Sequence, residues 1–122
     1  MSYRQQKGLS GERAAAEYLQ GLGYRVLERR YRFARKEIDL VVEKGDLVVF
    51  VEVKARASES YGPIRLSVTE RKKRNLVAAA EGWLMERDTG NLSRSYRFDV
   101  ILISRSPDGR MNLEHIENAF RA

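Results

Sequence analysis

The pattern of apolar and polar positions predicts a mixed α/β domain. Small and apolar residues recur at helical spacing from an N-cap near Ser10 or Gly11 to a stop at Gly21. Strand patterns follow over residues 24–32, 37–43 and 47–55, the last of them rich in Val. A second helix is predicted from an N-cap at Thr69 to about Arg87, with two more strands over 96–103 and 113–116. The order α-β-β-β-α-β-β predicts a mixed sheet flanked by helices.

The remaining segments complete one domain over residues 1–122. Residues 1–7 are polar and expected to be flexible, and residues 56–68 are expected to form a loop around Gly62 and Pro63. The longest unbroken aliphatic and aromatic run, Leu47–Val51, is far shorter than the ~20 residues that cross a bilayer. We therefore expect a cytoplasmic protein. Neither predicted helix joins a broad basic face to a bulky apolar one, so no membrane partner is expected.

The hairpin of the second and third strands places charged residues on one face. Alternate residues of a strand share a face, and a type II′ turn centred on Gly45 and Asp46 would pair Lys44 with Leu47. The pairs that follow are Val41 with Phe50, Asp39 with Glu52, and Glu37 with Lys54. On the other face of the second strand lie Ile38, Leu40 and Val42. A turn at Lys44–Gly45 would keep the charged face, whereas a three-residue turn would separate Asp39 from Glu52.

The repulsion between directly opposed carboxylates must be compensated. At ~5 Å and an effective dielectric of ~20, Asp39 and Glu52 would repel by roughly 3 kcal/mol. A proton, Lys54 or a divalent cation could balance them. Mg²⁺ suits such a pair, and it could polarise a phosphate while Lys54 stabilises the developing charge. A solvated charged face would give the same pattern, so the hairpin alone leaves both interpretations open.

Glu12 lies on the apolar stripe of the first helix, with Ala15, Ala16 and Leu19. It could simply stabilise the helix N-terminus, by ~0.3–1 kcal/mol. It could also reach toward the same cation as Asp39. The spacing leaves these two roles open.

Composition narrows the chemistry. One His and no Cys exclude disulfides, thiolate nucleophiles, Cys-based zinc sites and sites built on several His. The 23 Lys and Arg against 17 Asp and Glu give a net charge of +6, which favours an anionic partner, nucleic acid first and a membrane surface second.

Three basic groups could contact phosphates, although each could also be a solvated face. They lie before the second strand, one same-face step beyond Lys54, and at the start of the second helix. The residues expected to bind nucleic acid are Arg32, Arg35, Arg56, Arg71 and Lys72. Away from these groups, Asp99 is expected to be a strand-end or buried residue that pairs with Arg97 or another base. His115 is expected to be a structural or surface residue rather than a ligand.

Ordered blocks along almost the whole chain resemble the YraN family of small bacterial proteins. They are Gly8-x-x-Gly11-Glu12, Tyr31-Arg32, Glu37-Ile38-Asp39-Leu40, Phe50-Val51-Glu52-Val53-Lys54, Gly62, Thr69-x-x-Lys72, Arg97-Phe98-Asp99-Val100 and His115-Ile116-Glu117-Asn118-Ala119-Phe120. The chain departs from the family's usual pattern at Lys36, where Gly is usual, and at Arg30, where Asn is usual. Lys73 and Asn75 also replace the usual Gln and Arg. None of these departures removes a candidate ligand.

The YraN family is similar to archaeal-type Holliday-junction resolvases and belongs with the PD-(D/E)xK nucleases. The resemblance implies the restriction-endonuclease-like αβββαβ core and cleavage of DNA that depends on Mg²⁺ or Mn²⁺. It implies that Asp39 and Glu52 bind the metal and that Lys54 is the catalytic lysine. It also implies the Val53 carbonyl and Glu12 as further ligands. Ile38 takes the place of the Pro in the superfamily's name.

The sequence is therefore compatible with two functions. The first is a metal-dependent endonuclease acting on DNA, including branched or junction DNA. The second is a nucleic-acid-binding module of the same fold without turnover. Resolvases cut two strands, so the resemblance also raises a homodimer, for which no interface can be identified from the sequence.

Overall fold

Five strands form one mixed sheet with a helix on each face. The computed structural model describes residues 3–57, 69–87 and 94–121. Its elements are α1 (Tyr3–Gly21), β1 (Arg25–Phe33), β2 (Lys36–Lys44), β3 (Leu47–Ala57), α2 (Glu70–Arg87), β4 (Ser95–Arg105) and β5 (Met111–Phe120). The strand order is β1-β2-β3-β4-β5, with β3 and β4 parallel and the other neighbours antiparallel. The predicted restriction-endonuclease-like α/β fold with its αβββαβ core is confirmed, and β5 extends the sheet.

Several predicted boundaries are confirmed. Strands β1 to β3 lie within two residues of the predicted ranges. The N-cap at Thr69 is confirmed, because its Oγ1 accepts a hydrogen bond from the Lys72 amide at 3.1 Å. The hairpin register is confirmed from Lys44–Leu47 to Leu40–Val51, and Gly45 has the positive φ, +60°, that the first central position of a type II′ turn needs.

Two predicted ends are wrong. Helix α1 begins at Tyr3, so Ser10 lies inside the helix and is not its N-cap. Its backbone packs tightly on β3 at Gly11, where a Cβ would lie 3.0 Å from the Ala55 Cβ; such packing overrides weak helix propensity. Strand β5 continues to Phe120 because Asn118, with φ of +51°, forms an irregularity past which Phe120 pairs with Phe98.

Parts of other expectations fall outside the described residues. Of the predicted loop over 56–68, residues 56 and 57 belong to β3, and 58–68 lie outside the described part of the chain. The flexibility of residues 1–7 stays a prediction. Within the described residues, neither helix combines the length and apolar character needed to cross a membrane.

The sheet carries a core on each face. The core on the α2 side contains Ile38, Val41, Val48, Phe50, Leu76, Trp83, Phe98 and Phe120 among its residues. The core on the α1 side contains Ala15, Ala16, Leu19, Leu40, Val42, Val49, Val51, Ile101 and Ile103. Strands covered on both faces read as nearly continuous apolar runs, which explains the Val-rich sequence of β3.

Helix α2 approaches β1 closely enough to require a glycine. A Cβ on Gly82 would lie 2.3 Å from the Phe33 Cγ, far inside van der Waals contact. The β1–β2 turn follows Phe33 directly, and Ala34 and Arg35 both have positive φ, +50° and +68°. These are the angles of a type I′ turn, which Asn and Gly adopt at lower cost.

Alternation along β2 breaks at Asp39. Ile38 and Val41 pack on the α2 side, whereas Leu40 and Val42 pack on the α1 side. The prediction that Ile38, Leu40 and Val42 share a face is therefore wrong. The neighbouring strand accounts for the break: Arg30, opposite Asp39, has a φ of +52° inside β1, and the left-handed residue turns the paired backbone.

Candidate metal and catalytic site

The candidate site lies where β2 and β3 separate. Their pairing runs from Lys44–Leu47 to Leu40–Val51 and does not include the predicted pairs Asp39–Glu52 and Glu37–Lys54. Beyond Val51, the Val53 amide donates a hydrogen bond to Asp39 Oδ2 at 2.8 Å. A side-chain oxygen thus takes the place of a backbone acceptor, which fixes the Asp39 carboxylate at the point of separation.

Three carboxylates meet at this point. One oxygen from each of Glu12, Glu37 and Asp39 lies within 4.8 Å of the others, and all three residues are partly buried. The structure therefore brings Glu12 close to Asp39, as its expected role beside the same cation requires. Glu37 is a residue that the sequence reasoning did not assign to the metal. Its placement two residues before Asp39 was the available signal, but the expected strand register paired it with Lys54 instead.

Arginines of β1 neutralise part of this acidic cluster. Arg30 Nε lies 2.8 Å from Glu12 Oε2, and Arg32 Nε lies 3.2 Å from Glu37 Oε2. Both arginines are well exposed, so these pairs contribute little to stability but lower the local negative charge.

Glu52 is the buried acid of the site. Its side chain is only 5% exposed, and its Oε1 lies 3.3 Å from Lys72 Nζ and 3.9 Å from Lys54 Nζ. Its Oε2 is buried and has no hydrogen-bond partner within the described residues. A buried carboxylate oxygen left without a partner is costly unless something outside the chain binds it. Glu52 does not join the close group of Glu12, Glu37 and Asp39, so the predicted ligands do not form one tight cluster.

Burial and like charge raise the pKa of Asp39 to about 7. Desolvation contributes most, and the charges of Glu52 and Glu12 add to it. The Val53 amide and the Lys72 ammonium act in the opposite direction. A carboxyl with such a pKa gains its charge near neutral pH, and a nearby cation would favour that charged form.

The donor set fits a hard divalent cation. Carboxylate oxygens of Glu12, Glu37 and Asp39 converge at the site. The unpartnered Glu52 Oε2 and the raised pKa of Asp39 both indicate negative charge that the described residues do not fully balance. Mg²⁺ and Mn²⁺ favour such oxygen ligands. The amide of Val53 is bonded to Asp39, and ligation by its carbonyl stays a prediction.

The expected nucleic-acid contacts occupy different surroundings. Arg35 is exposed in the β1–β2 turn, and Arg71 is exposed in the first turn of α2. Arg32 is exposed beside Glu37. Lys72 instead turns toward Glu52 and belongs to the acidic site. The backbone of Arg56 lies in β3, and its side chain is outside the described part of the structure.

A second polar network ties β5 to β4. Arg97 donates two hydrogen bonds to the buried Asp99, at 2.7 and 2.8 Å, which confirms the expected pair and raises the pKa of Arg97. Asp99 also accepts from the Asn118 amide and contacts His115 Nε2 at 2.6 Å. His115 Nδ1 lies 3.1 Å from the Tyr18 hydroxyl. His115 is thus bonded within the protein on both ring nitrogens, in line with its expected structural role.

Comparison with known proteins gives one consistent result. Residues 11–103 match the model of a family described as "Uncharacterised protein family UPF0102". The chain is 43% identical over 115 residues to a UPF0102 protein of Symbiobacterium thermophilum, covering 94% of this chain and 96% of that protein. It is 46% identical over 114 residues to a UPF0102 protein of Pelotomaculum thermopropionicum, covering 93% of each. A UPF0102 protein of Geobacter sulfurreducens is 45% identical over 114 residues, covering 93% of this chain and 87% of that protein.

Proposed function

We propose that this chain, which belongs to the UPF0102 family, is a divalent-cation-dependent endonuclease that hydrolyses phosphodiester bonds in DNA. The observation that carries the proposal is Glu52 Oε2, a buried carboxylate oxygen with no partner within the described residues, close to an Asp39 that its charge helps to keep protonated. The resemblance to junction resolvases makes branched DNA the first substrate to test.

Asp39 and Glu52 would hold Mg²⁺ or Mn²⁺, with Glu12 and the Val53 carbonyl as the further ligands that the resemblance implies. Glu37 adds a carboxylate on the same side as Glu12. When bound, the cation would supply Lewis acidity at the phosphate and a more acidic water.

Lys54 stands beside the acidic site in a position to meet a phosphate. Its side chain is 27% exposed, and its ammonium lies 3.9 Å from Glu52 Oε1. From there it can offset charge that develops on the attacked phosphate group. The exposed Arg32, Arg35 and Arg71 would hold the nucleic-acid backbone without reading its sequence.

Ion pairs within the site favour a second candidate, a nucleic-acid-binding module without turnover. Glu12 already pairs with Arg30, Glu37 with Arg32, and Glu52 with Lys72. In such a module these pairs would suffice, and no divalent cation would be needed.

Cleavage separates the two candidates. Linear, flapped and four-way-junction DNA are incubated with the protein in Mg²⁺ or Mn²⁺, beside Asp39→Asn and a matched control, Asp46→Asn, in the exposed β2–β3 turn. We expect the wild type and Asp46→Asn to cleave at least one substrate and Asp39→Asn to lose that activity. Wild-type cleavage no greater than that of Asp39→Asn on every substrate would contradict the endonuclease.

Thermal unfolding tests the cation separately. Divalent ions should raise the Tm of the wild type, and Glu52→Gln should abolish that rise. An equal rise in Glu52→Gln would favour the binding module.

A further inference from the structure

Among the described residues, Lys72 is the cation closest to the buried carboxylate of Glu52. Its Nζ lies 3.3 Å from Glu52 Oε1, nearer than Lys54 Nζ at 3.9 Å. The helix cap sets this position, because Thr69 accepts a hydrogen bond from the Lys72 amide and so fixes Lys72 in the first turn of α2. The Thr69-x-x-Lys72 spacing therefore carries a lysine from the helix start to Glu52.

Lys72 is also free to leave. Its side chain is 37% exposed, whereas Glu52 is 5% exposed, so the lysine can move into solvent while the carboxylate stays in place. Lys72 lies in the first turn of α2, where the helix dipole is positive, and the neighbouring Arg71 is exposed. Such surroundings favour a phosphate.

We propose that Lys72 is an exchangeable counter-ion of Glu52, which withdraws when a divalent cation binds the site and then contacts a phosphate of the nucleic acid. This inference rests on the proposed function. The physical cause is repulsion: an ammonium at Oε1 and a divalent cation at Oε2 would share one carboxylate in a site that is largely shielded from water. The repulsion is stronger for Lys72, at 3.3 Å from Oε1, than for Lys54, at 3.9 Å.

Cation affinity is the first test, with Lys73→Met as the matched control. Lys73 is the next residue of the same helix turn, has a similar exposure of 32%, and pairs with Glu70 rather than with the site. In calorimetric titration with Mn²⁺ or Mg²⁺, Lys72→Met should bind about tenfold tighter than the wild type, because a competing charge is gone. Lys73→Met should stay within about twofold of the wild type, since its charge is outside the site.

The sign of the change decides between roles. If Lys72 merely held Glu52 in place, Lys72→Met would bind the cation more weakly, and the inference would be overturned. Lys72→Arg keeps the charge and should remain near the wild-type affinity. If Lys72→Met does not fold, Lys72→Arg still tests the inference. A higher cation affinity in Lys72→Arg would contradict a counter-ion role, because that variant keeps the positive charge.

DNA binding gives a second readout. In EDTA, Lys72→Met and the wild type should bind DNA equally, since Lys72 is held at Glu52. In Ca²⁺ the variant should bind several-fold more weakly, and the slope of log K against log salt should fall by about 1. An equal loss in EDTA and in Ca²⁺ would identify a permanent phosphate contact and overturn the exchange.

The outcomes for the two proposals differ. A wild type that binds cations and cleaves DNA, beside a Lys72→Met that binds cations no tighter, would remove the exchange and leave the endonuclease. A wild type that binds neither Mn²⁺ nor Mg²⁺ would remove both.

Discussion

Replacing Asp39 by Asn should stabilise the protein in the absence of divalent ions, although it removes a candidate ligand. Burial and the charge of Glu52 raise the pKa of Asp39 from 3.8 to about 7. Between these values the folded state binds more protons than the unfolded state, so stability falls as pH rises through that window. At about 1.36 kcal/mol for each pKa unit, the charged Asp39 costs about 4 kcal/mol above pH 7. Asn has no charge and can still accept the hydrogen bond from the Val53 amide.

Urea denaturation in EDTA from pH 5 to pH 8 measures the difference. The advantage of Asp39→Asn over the wild type should grow by about 3 kcal/mol across this range, because most of the window lies within it. The control Asp46→Asn, at an exposed turn, should follow the wild type within about 0.5 kcal/mol at each pH. Mg²⁺ should then stabilise the wild type and leave Asp39→Asn unchanged. Parallel pH curves for Asp39→Asn and the wild type would refute the argument that burial raises the pKa of this carboxyl.

Three further substitutions test a helix–strand contact, a turn and a buried ion pair. Gly82→Ala should destabilise the protein by about 1–2 kcal/mol in urea, because a clash with the Phe33 ring outweighs the gain in helix propensity. Adding Phe33→Leu should recover part of that loss, and full additivity would contradict the clash. Arg35→Gly should raise stability by about 0.5–1 kcal/mol in thermal unfolding, since φ is +68° there, and a lower Tm would argue against the type I′ turn. Asp99→Asn should cost about 3 kcal/mol because it removes the buried carboxylate that pairs with Arg97 and leaves only the longer pair with the exposed Glu117, at 3.8 Å, among the described residues; a loss below 1 kcal/mol would show that the Arg97–Asp99 pair is dispensable.

Local chemistry predicted much of the fold. The two-residue turn centred on Gly45 and Asp46 was one of the turns that the sequence left open, and it sets the register of β2 and β3 as far as Leu40 and Val51. Thr69 also identified the start of α2, because an N-cap bonds to an amide only three residues further along the chain. The predicted membership of the YraN family is confirmed, because the matching family model and the relatives carry its UPF0102 designation.

The change of face at Asp39 could not be predicted from β2. It follows the left-handed conformation of Arg30 in the neighbouring strand, and arginine gives no signal of that conformation. Asn, which the resemblance gives as the usual residue at this position, adopts positive φ more readily and would have suggested an irregular strand. From the sequence, Arg30 was visible only as a change of residue type.

Tertiary contacts decided the membership of the site. The close approach of Glu12 to Glu37 and Asp39 requires α1 to pack beside β2. The contact of Lys72 with Glu52 joins residues that are twenty positions apart, and the charge pattern alone predicted a phosphate contact for Lys72. The metal, the nucleic acid and a homodimer remain predictions on which the proposed experiments bear.

The position of Asp39 between two separately packed layers has a consequence for heat inactivation. Glu12 is carried by α1 on one face of the sheet, and Lys72 is carried by α2 on the other. If either helix undocks while the strands stay paired, the site loses one of these residues. Function would then fail at a lower temperature than the sheet melts. The working range of this protein would be set by its less firmly attached helix.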